Sequence, residues 1–251
     1  MKITFNKHVR WRVDNQEIFI CDCKRLIDFK LPIDCEIFMN KIDSGLNEID
    51  LNTREKKLLT DLNKMKLLSK FEIRDIRPRE FDKAMKILES EFGKNRVRDN
   101  DFLKEKFCEF PQFFIGAFID EEIIGVVCGF PREDYLLLSE LAVDRRFQKR
   151  GFGKQLVKEF ERVASKKINV GAEDSAIGFY KSLNYKPFLL IQFEKGKYSE
   201  EDFSGFKVLR QGNGFLEADA DEVSLEKIED LKKRFSNAYF QYIFTNDLKE
   251  K

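Results

Sequence analysis

Two glycines, Gly151 and Gly153, stand one residue apart in a stretch rich in basic side chains. An apolar run precedes them and an amphipathic pattern follows, so they lie where a predicted strand turns into a predicted helix. The first turn of a helix has unpaired backbone N–H groups and a partial positive charge of roughly half an electron. Because glycine has no Cβ, an anion can approach its main chain closely. This corner therefore predicts a binding site for phosphate groups.

Basic residues around the corner are predicted to supply mobile positive charge to the same site. They are Arg145, Arg146, Lys149, Arg150 and Lys154. Two common phosphate motifs do not fit, because a dinucleotide fingerprint needs a third glycine where Leu156 stands and the chain has no G-x-x-x-x-G-K-[ST] sequence. For this stretch alone, a solvated basic loop without a ligand is the alternative.

A second motif follows on a later predicted helix. Gln148 to Gly153 reads QKRGFG and Phe179 to Tyr185 reads FYKSLNY. With these two motifs the chain resembles the GNAT superfamily of N-acetyltransferases over about residues 71–196, since that family has [QR]-x-x-G-x-[GA] at the start of one helix and F-Y-x-x-x-G-[FY] at the end of a later one. Asn184 replaces the usual glycine and Arg145 replaces a common proline. Asparagine also adopts the left-handed conformation that a helix end often needs.

The resemblance implies acetyl-CoA as co-substrate and no metal. In the family, the strand before the loop bulges and separates from its neighbour, so that the pantetheine arm pairs with free main-chain groups while the pyrophosphate lies on the glycine loop. Transferred by motif position, Leu141, Ala142 and Val143 line the pantetheine and the thioester. The residues that hold the pyrophosphate are Gln148, Lys149, Arg150, Gly151, Phe152, Gly153 and Lys154.

Acyl transfer to an amine requires a neutral nitrogen, whereas an alkylamine with a pKa of about 10 is almost fully protonated at pH 7. Glu140, on the strand that leads into the loop, is the predicted general base, and a solvated or arginine-paired carboxylate is the alternative. Glu173 is a second candidate base or a ligand for the substrate ammonium. The resemblance makes Tyr180 the acid that protonates the thiolate, with core packing as its alternative, and an N–H near Val143 is expected to stabilise the oxyanion.

Hydropathy patterns divide the chain into three segments. Residues 1–70 predict three short strands and two helices, a pattern similar to small winged-helix-like modules that bind peptides. Residues 71–196 predict the order strand, helix, helix, hairpin, strand, helix, strand, helix, strand. Residues 197–251 predict two strands, a helix and a strand packed on the preceding domain. The expected fold is α+β, with a mixed, mostly antiparallel sheet of the GNAT type flanked by helices.

Charge and composition exclude several functional classes. The chain has 46 basic and 45 acidic residues, so no net field draws it to nucleic acid or to a membrane. No apolar run approaches the ~18 residues of a membrane span. Five cysteines and no secretory leader indicate a cytoplasmic protein. A metal site at Cys21, Cys23, Cys35 and His8 is less favoured than buried free thiols, because paired C-x-x-C elements are missing.

The predicted function is N-acetyl transfer from acetyl-CoA to a primary amine of a small molecule, a peptide or a protein. One alternative is an N-acyltransferase with a longer acyl donor. Another is an acyl-CoA sensor whose N-terminal module binds nucleic acid or a partner protein. Support for nucleic acid comes from Lys56, Lys57, Lys64 and Lys66, but Glu55 and Asp61 interrupt that helix face. A peptide or protein ligand of the module is therefore the preferred partner besides the amine.

Overall fold

The computed structural model describes residues 2–47, 51–93, 99–198, 200–203, 206–220 and 225–246. The chain forms two compact units. The first comprises Met1–Cys128 and Glu140–Val163, and the second comprises Gly129–Ser139 and Ala164–Lys251. Within the described residues, no helix has the length and apolar character required to cross a lipid bilayer.

The first unit opens with a small group of strands and two helices. They are β1 (Lys2–Phe5), β2 (Val9–Asp14), β3 (Glu17–Asp22), β4 (Ile27–Pro32), α1 (Glu36–Asp43), β5 (Leu46–Asn47) and α2 (Thr53–Lys64). Strands β2, β3 and β4 are the three short strands that the sequence predicts, and they form an antiparallel sheet. Helix α2 begins with a capping box, which the sequence spacing of Asn52 and Glu55 indicates. The Asn52 side chain accepts from the Glu55 N–H, and the Glu55 carboxylate accepts from the Asn52 N–H.

Strand β1 was not predicted from the sequence. It pairs antiparallel with β5 on one side and with β6 (Leu68–Asp75) on the other. The predicted boundary at residue 70 therefore falls inside a strand that pairs with the start of the chain. Local hydropathy did not indicate this, because it carries no information about which distant segment a strand pairs with.

The remainder of the first unit builds the sheet that leads to the glycine loop. Its elements are α3 (Phe81–Phe92), α4 (Asn100–Glu109), β7 (Phe114–Ile119), β8 (Glu122–Pro131), β9 (Leu136–Val143) and α5 (Phe152–Val163), with β8 and β9 contributing residues to both units. The strand order is β5-β1-β6-β7-β8. Asp120 and Glu121 turn β7 into β8 with φ values of 47° and 66°, as the predicted hairpin requires.

Helix α5 is fixed by its apolar face, which confirms the amphipathic pattern in the sequence. Its buried residues are Phe152, Leu156, Val157 and Phe160. The Phe152 ring packs 4.9 Å from that of Phe71 on β6. The start of the helix, and with it the glycine loop, is thereby attached to the sheet.

The second unit contains β10 (Ile168–Gly171), α6 (Ile177–Ser182), β11 (Lys186–Gln192), β12 (Val208–Gly212), β13 (Phe215–Asp219), α7 (Leu225–Arg234) and β14 (Tyr239–Asn246). Its strand order is β10-β14-β11-β13-β12. The last strand of the chain thus lies between β10 and β11 and is antiparallel to both. The pairing of β9 with β10 is parallel. The fold is therefore α+β with a mixed, mostly antiparallel sheet, as predicted.

A bidentate ion pair fixes the entrance to α3. Arg74 Nη1 and Nη2 donate to the Glu80 carboxylate at 2.8 and 2.9 Å, and the Arg77 N–H donates to the same group at 2.9 Å. The Glu80 side chain is only 11% exposed. The hydrogen bonds from Arg74, followed by that from Arg77, lower the pKa of Glu80 to about 2.

We expect Glu80→Gln to lower the free energy of unfolding by about 3 kcal/mol at pH 7. The folded pKa is depressed, so this stabilisation is complete above the ordinary glutamate pKa and is lost as pH falls towards about 2. Urea unfolding at pH 7 and at several acidic pH values measures the difference between wild type and variant. Glu109→Gln, at an exposed carboxylate paired with Lys106, is the control. A difference that does not shrink with acidification would contradict the assignment.

Candidate functional site

The loop between β9 and α5 has the backbone conformation of an anion site. A short 3₁₀ turn at Arg145–Phe147 follows β9, and α5 begins at Phe152. Lys149 and Gly151 both have left-handed backbones, with φ of 62° and 82°. In turns of this kind successive N–H groups converge on one side and form a concave surface that binds anions. The predicted turn into a helix at the glycines is therefore present.

Two of the arginines that the sequence predicted to be mobile lie in exposed ion pairs. Arg146 Nη2 lies 2.7 Å from Asp144 Oδ2, and Arg145 Nε lies 3.5 Å from Glu91 Oε2. The Asp144 pKa is lowered by the hydrogen bond from Arg146. In the part of the chain that the structure describes, Lys149 and Lys154 form no ion pair with a carboxylate. These two lysines are the cations of the loop left for a ligand.

Arg150 is directed into the protein. Its Nη1 lies 3.1 Å from Asp43 Oδ1 at the end of α1, and the two side chains are 12% and 21% exposed. Burial lowers the pKa of Arg150 and raises that of Asp43, while the opposite charge of each partner counteracts the shift. Sequence reasoning missed Asp43, because no local pattern links an aspartate at a helix end to an arginine so far along the chain.

Gln148, the first residue of the glycine motif, ties the loop back to the strand. Its Nε2 donates to the Val143 carbonyl and to Glu91 Oε2, both at 2.9 Å. Its amide group is thus used to shape the loop. Glu91 therefore contacts Gln148 of the motif and Arg145 before it, and was also missed from the sequence.

The end of β9 extends beyond its pairing with β10. Within these two described strands the parallel register covers Leu136 and Leu137 only. Leu141, Ala142 and Val143 lie past that segment and lead directly into the loop. The main-chain groups of these residues are therefore positioned next to the predicted phosphate site.

Glu140 lies on β9 between the paired segment and the loop. It is half-buried. Because side chains alternate along a strand, it shares a face with the buried residues Leu138 and Ala142. A carboxylate on a largely apolar strand face, rather than on the solvated one, is a typical position for a functional acid or base.

Tyr180 belongs to α6 in the second unit, whereas Glu140 and the glycine loop belong to the first. It is 4% exposed. Its ring stacks on Phe244 with centroids 5.7 Å apart and meets Phe179 edge-on at 5.1 Å. The aromatic surroundings fix the ring, which both predicted roles require.

Helix α6 ends as the sequence predicts. Asn184 has φ of 64°. The Asn184 N–H donates to the Lys181 carbonyl at 3.0 Å and the Tyr185 N–H donates to the Tyr180 carbonyl at 3.2 Å. These two bonds form a Schellman motif, in which asparagine takes the position usually occupied by glycine.

The remaining candidates from the sequence are Glu173 and the cysteines. Glu173 is exposed, and its carbonyl accepts from the Ala176 N–H. The thiols of Cys21 and Cys23 are 3.9 Å apart, and the hydrogen bond to Asp28 raises the pKa of Cys21 to about 12. Among the described residues, no group of three or more His, Cys, Asp or Glu side chains forms a metal site.

Comparison with known proteins identifies one family. Residues 81–185 match the model of the acetyltransferase (GNAT) family. No curated protein matches the sequence.

Three of the similar solved structures are the following. Ard1 from Thermoplasma volcanium is 17% identical, with 59% of this chain and 95% of that chain covered at a TM-score of 0.43. The ribosomal-protein-S18-alanine N-acetyltransferase from Escherichia coli is 12% identical, with 72% of this chain and 96% of that chain covered at a TM-score of 0.44. Naa50 from Arabidopsis thaliana is 16% identical, with 59% of this chain and 96% of that chain covered at a TM-score of 0.42. These TM-scores are too low to support an argument, so the link to the GNAT family depends on the match of residues 81–185 to the family model.

Proposed function

Because the chain carries an acetyltransferase domain of the GNAT family at residues 81–185, we propose that it transfers an acetyl group from acetyl-CoA to a primary amine. The acceptor is a small molecule, a peptide or a protein. The observation that carries the proposal is the left-handed turn at Lys149 and Gly151, which leads directly into α5. Such a turn at the start of a helix favours a phosphate group.

The loop suits the diphosphate of coenzyme A in both shape and charge. Main-chain N–H groups at Gly151, Phe152 and Gly153 supply donors at the helix start. Lys149 and Lys154 supply positive charge. The Phe152 side chain is buried against Phe71, so this residue contributes through its main chain alone.

The end of β9 suits the pantetheine arm. Leu141, Ala142 and Val143 lie beyond the pairing with β10. An extended ligand with amide groups can pair with main-chain groups there, as an added strand does. The thioester then comes to the part of β9 that carries Glu140.

Acetyl-CoA supplies an activated acyl group in the form of a thioester. In the proposed reaction Glu140 accepts the proton that the acceptor nitrogen must lose. The Val143 N–H donates to the carbonyl oxygen, whose negative charge grows as the nitrogen–carbon bond forms. Tyr180 donates its hydroxyl proton to the sulfur as the carbon–sulfur bond breaks.

We expect Tyr180→Phe to lower kcat by about 10- to 100-fold and to leave the Kd for CoA within about twofold. The phenylalanine ring retains the stacking on Phe244 and loses only the hydroxyl group. Steady-state kinetics and calorimetry measure the two quantities. Tyr185→Phe is the matched control, because this second buried tyrosine lies 5.7 Å from Tyr180. Equal losses of kcat in both variants would assign Tyr180 to the core.

The decisive experiment is a screen of amines and peptides with acetyl-CoA, in which the release of free thiol is followed over time. Longer acyl-CoA donors are tested in parallel. We expect thiol release that depends on the acceptor, together with an acetylated product detected by mass spectrometry. Binding of CoA without transfer to any acceptor would instead favour an acyl-CoA-sensing protein.

A further inference from the structure

We propose that Asp43 is a positioning residue for the phosphate loop, which it holds in its anion-binding conformation through Arg150. Its effect on cofactor binding rests on the function proposed above. The effect on the loop itself does not. Residues at the end of α1, outside the segment that matches the GNAT family, would thus control the shape of the site.

The location of Asp43 is unfavourable for α1. It is the last residue of the helix, where the dipole disfavours a negative charge. Burial raises its pKa, which means that the site also disfavours the charged form. The nearby guanidinium of Arg150 offsets both effects. Arg10 acts in the same direction more weakly, so Arg150 is the main partner of a carboxylate that its surroundings otherwise disfavour. A charged residue kept at an unfavourable position by a distant partner is typical of a functional contact.

A second contact lies on the other side of Gly151. Gln155, in the first turns of α5, donates from Nε2 to the Ser44 carbonyl and accepts at Oε1 from Lys2 Nζ at 2.8 Å. A Cβ built on Gly151 would lie 3.7 Å from Ser44 Cβ. Arg150 precedes the glycine and Gln155 follows it, so the end of α1 holds the loop on both sides.

The loop needs such support. Lys149 is not glycine and yet has φ of 62°, a conformation that costs energy and persists only where the surroundings impose it. Arg150 stands between this residue and Gly151, which is also left-handed. Its guanidinium lies over the Phe147 ring, 5.6 Å from the centroid, as well as beside Asp43. The buried Arg150 side chain thus fixes the turn whose main-chain N–H groups are proposed to bind phosphate.

The test begins with the protein free of cofactor. Asp43→Asn removes the charge and keeps the size of the side chain. We expect the amide protons of residues 149–153 to exchange with solvent about 10-fold faster than in wild type, because local opening becomes easier. Asp34→Asn is the matched control, since Asp34 pairs with Arg54 at 2.7 Å in the same part of the chain and does not contact the loop. Unchanged exchange in Asp43→Asn would overturn the proposal, whatever the protein does with CoA.

The second measurement uses CoA. We expect the Kd for CoA to rise about 10-fold in Asp43→Asn, while kcat at saturating acetyl-CoA changes less than about twofold. Gln155→Glu, which keeps the acceptor for Lys2 and removes the donor to Ser44, is expected to act in the same direction. Faster loop exchange in a protein whose wild type does not bind CoA would support the positioning role and reject the proposed function.

A charge exchange separates positioning by Asp43 from direct contact of Arg150 with phosphate. Asp43→Lys combined with Arg150→Glu restores an ion pair of opposite polarity. If Asp43 acts only by holding Arg150, the double variant should exchange its loop amides more slowly than Asp43→Lys alone. It should also bind CoA more tightly than Asp43→Lys alone. Recovery of exchange without recovery of affinity would show that Arg150 also binds the ligand itself, and would overturn the proposed effect of Asp43 on cofactor affinity.

Discussion

Gly151→Trp is expected to weaken the binding of CoA by about 100-fold or more, equivalent to about 3 kcal/mol. Gly151 has φ of 82°, a conformation that a residue with a Cβ resists. Its Cβ position points towards Ser44, so an indole group must displace either the end of α1 or the loop. The N–H groups of the turn would then no longer converge on a diphosphate. Titration calorimetry with CoA measures the loss.

Backbone strain alone must be separated from damage to the phosphate site. Gly196→Trp is the control, because Gly196 has φ of 76° and nothing lies within 4 Å of its Cβ position. We expect this variant to lose thermal stability and to retain its affinity for CoA. An unchanged Kd in Gly151→Trp would refute the assignment of the loop as the diphosphate site.

Glu140→Gln is expected to lower kcat/KM by about 100- to 1000-fold. A general base works only when ionised, so the wild-type rate should fall on acidification. Glutamine does not titrate, and the acidic limb of the profile should therefore disappear in the variant. The measurement is kcat/KM over about pH 5 to 9 with an acceptor identified in the amine screen.

The matched control for the base is Glu173→Gln, at the second carboxylate that the sequence indicates. Glu173 is exposed, whereas Glu140 is half-buried on an apolar strand face. We expect the pH profile of Glu173→Gln to keep its acidic limb. If the acidic limb persists in Glu140→Gln and disappears in Glu173→Gln, Glu173 is the general base and Glu140 is not.

Features set by a few neighbouring residues could be predicted from the sequence. Asn52 and Glu55 form their capping box, and Asn184 ends α6 in the left-handed conformation. Gly151 likewise adopts the left-handed turn before α5. In each case the deciding interaction spans at most a few residues, so the amino-acid types and their spacing contain the necessary information.

Pairings between distant segments could not be predicted in this way. The sequence indicates that residues 239–244 form a strand, but not that β14 lies between β10 and β11. It also gives no sign that β1 pairs with β6. A strand's hydropathy reveals which face is buried and says nothing about its neighbour, because many segments present the same alternation.

The phosphate loop shows where the two kinds of information separate. The sequence by itself determined the turn, the helix that follows it and the match of residues 81–185 to a family model. Only the tertiary structure decided which cations of the loop are free for a ligand, since Arg150 is held by Asp43. The physical reason is that backbone conformation depends on adjacent residues, whereas the partner of a charge depends on how the whole chain packs.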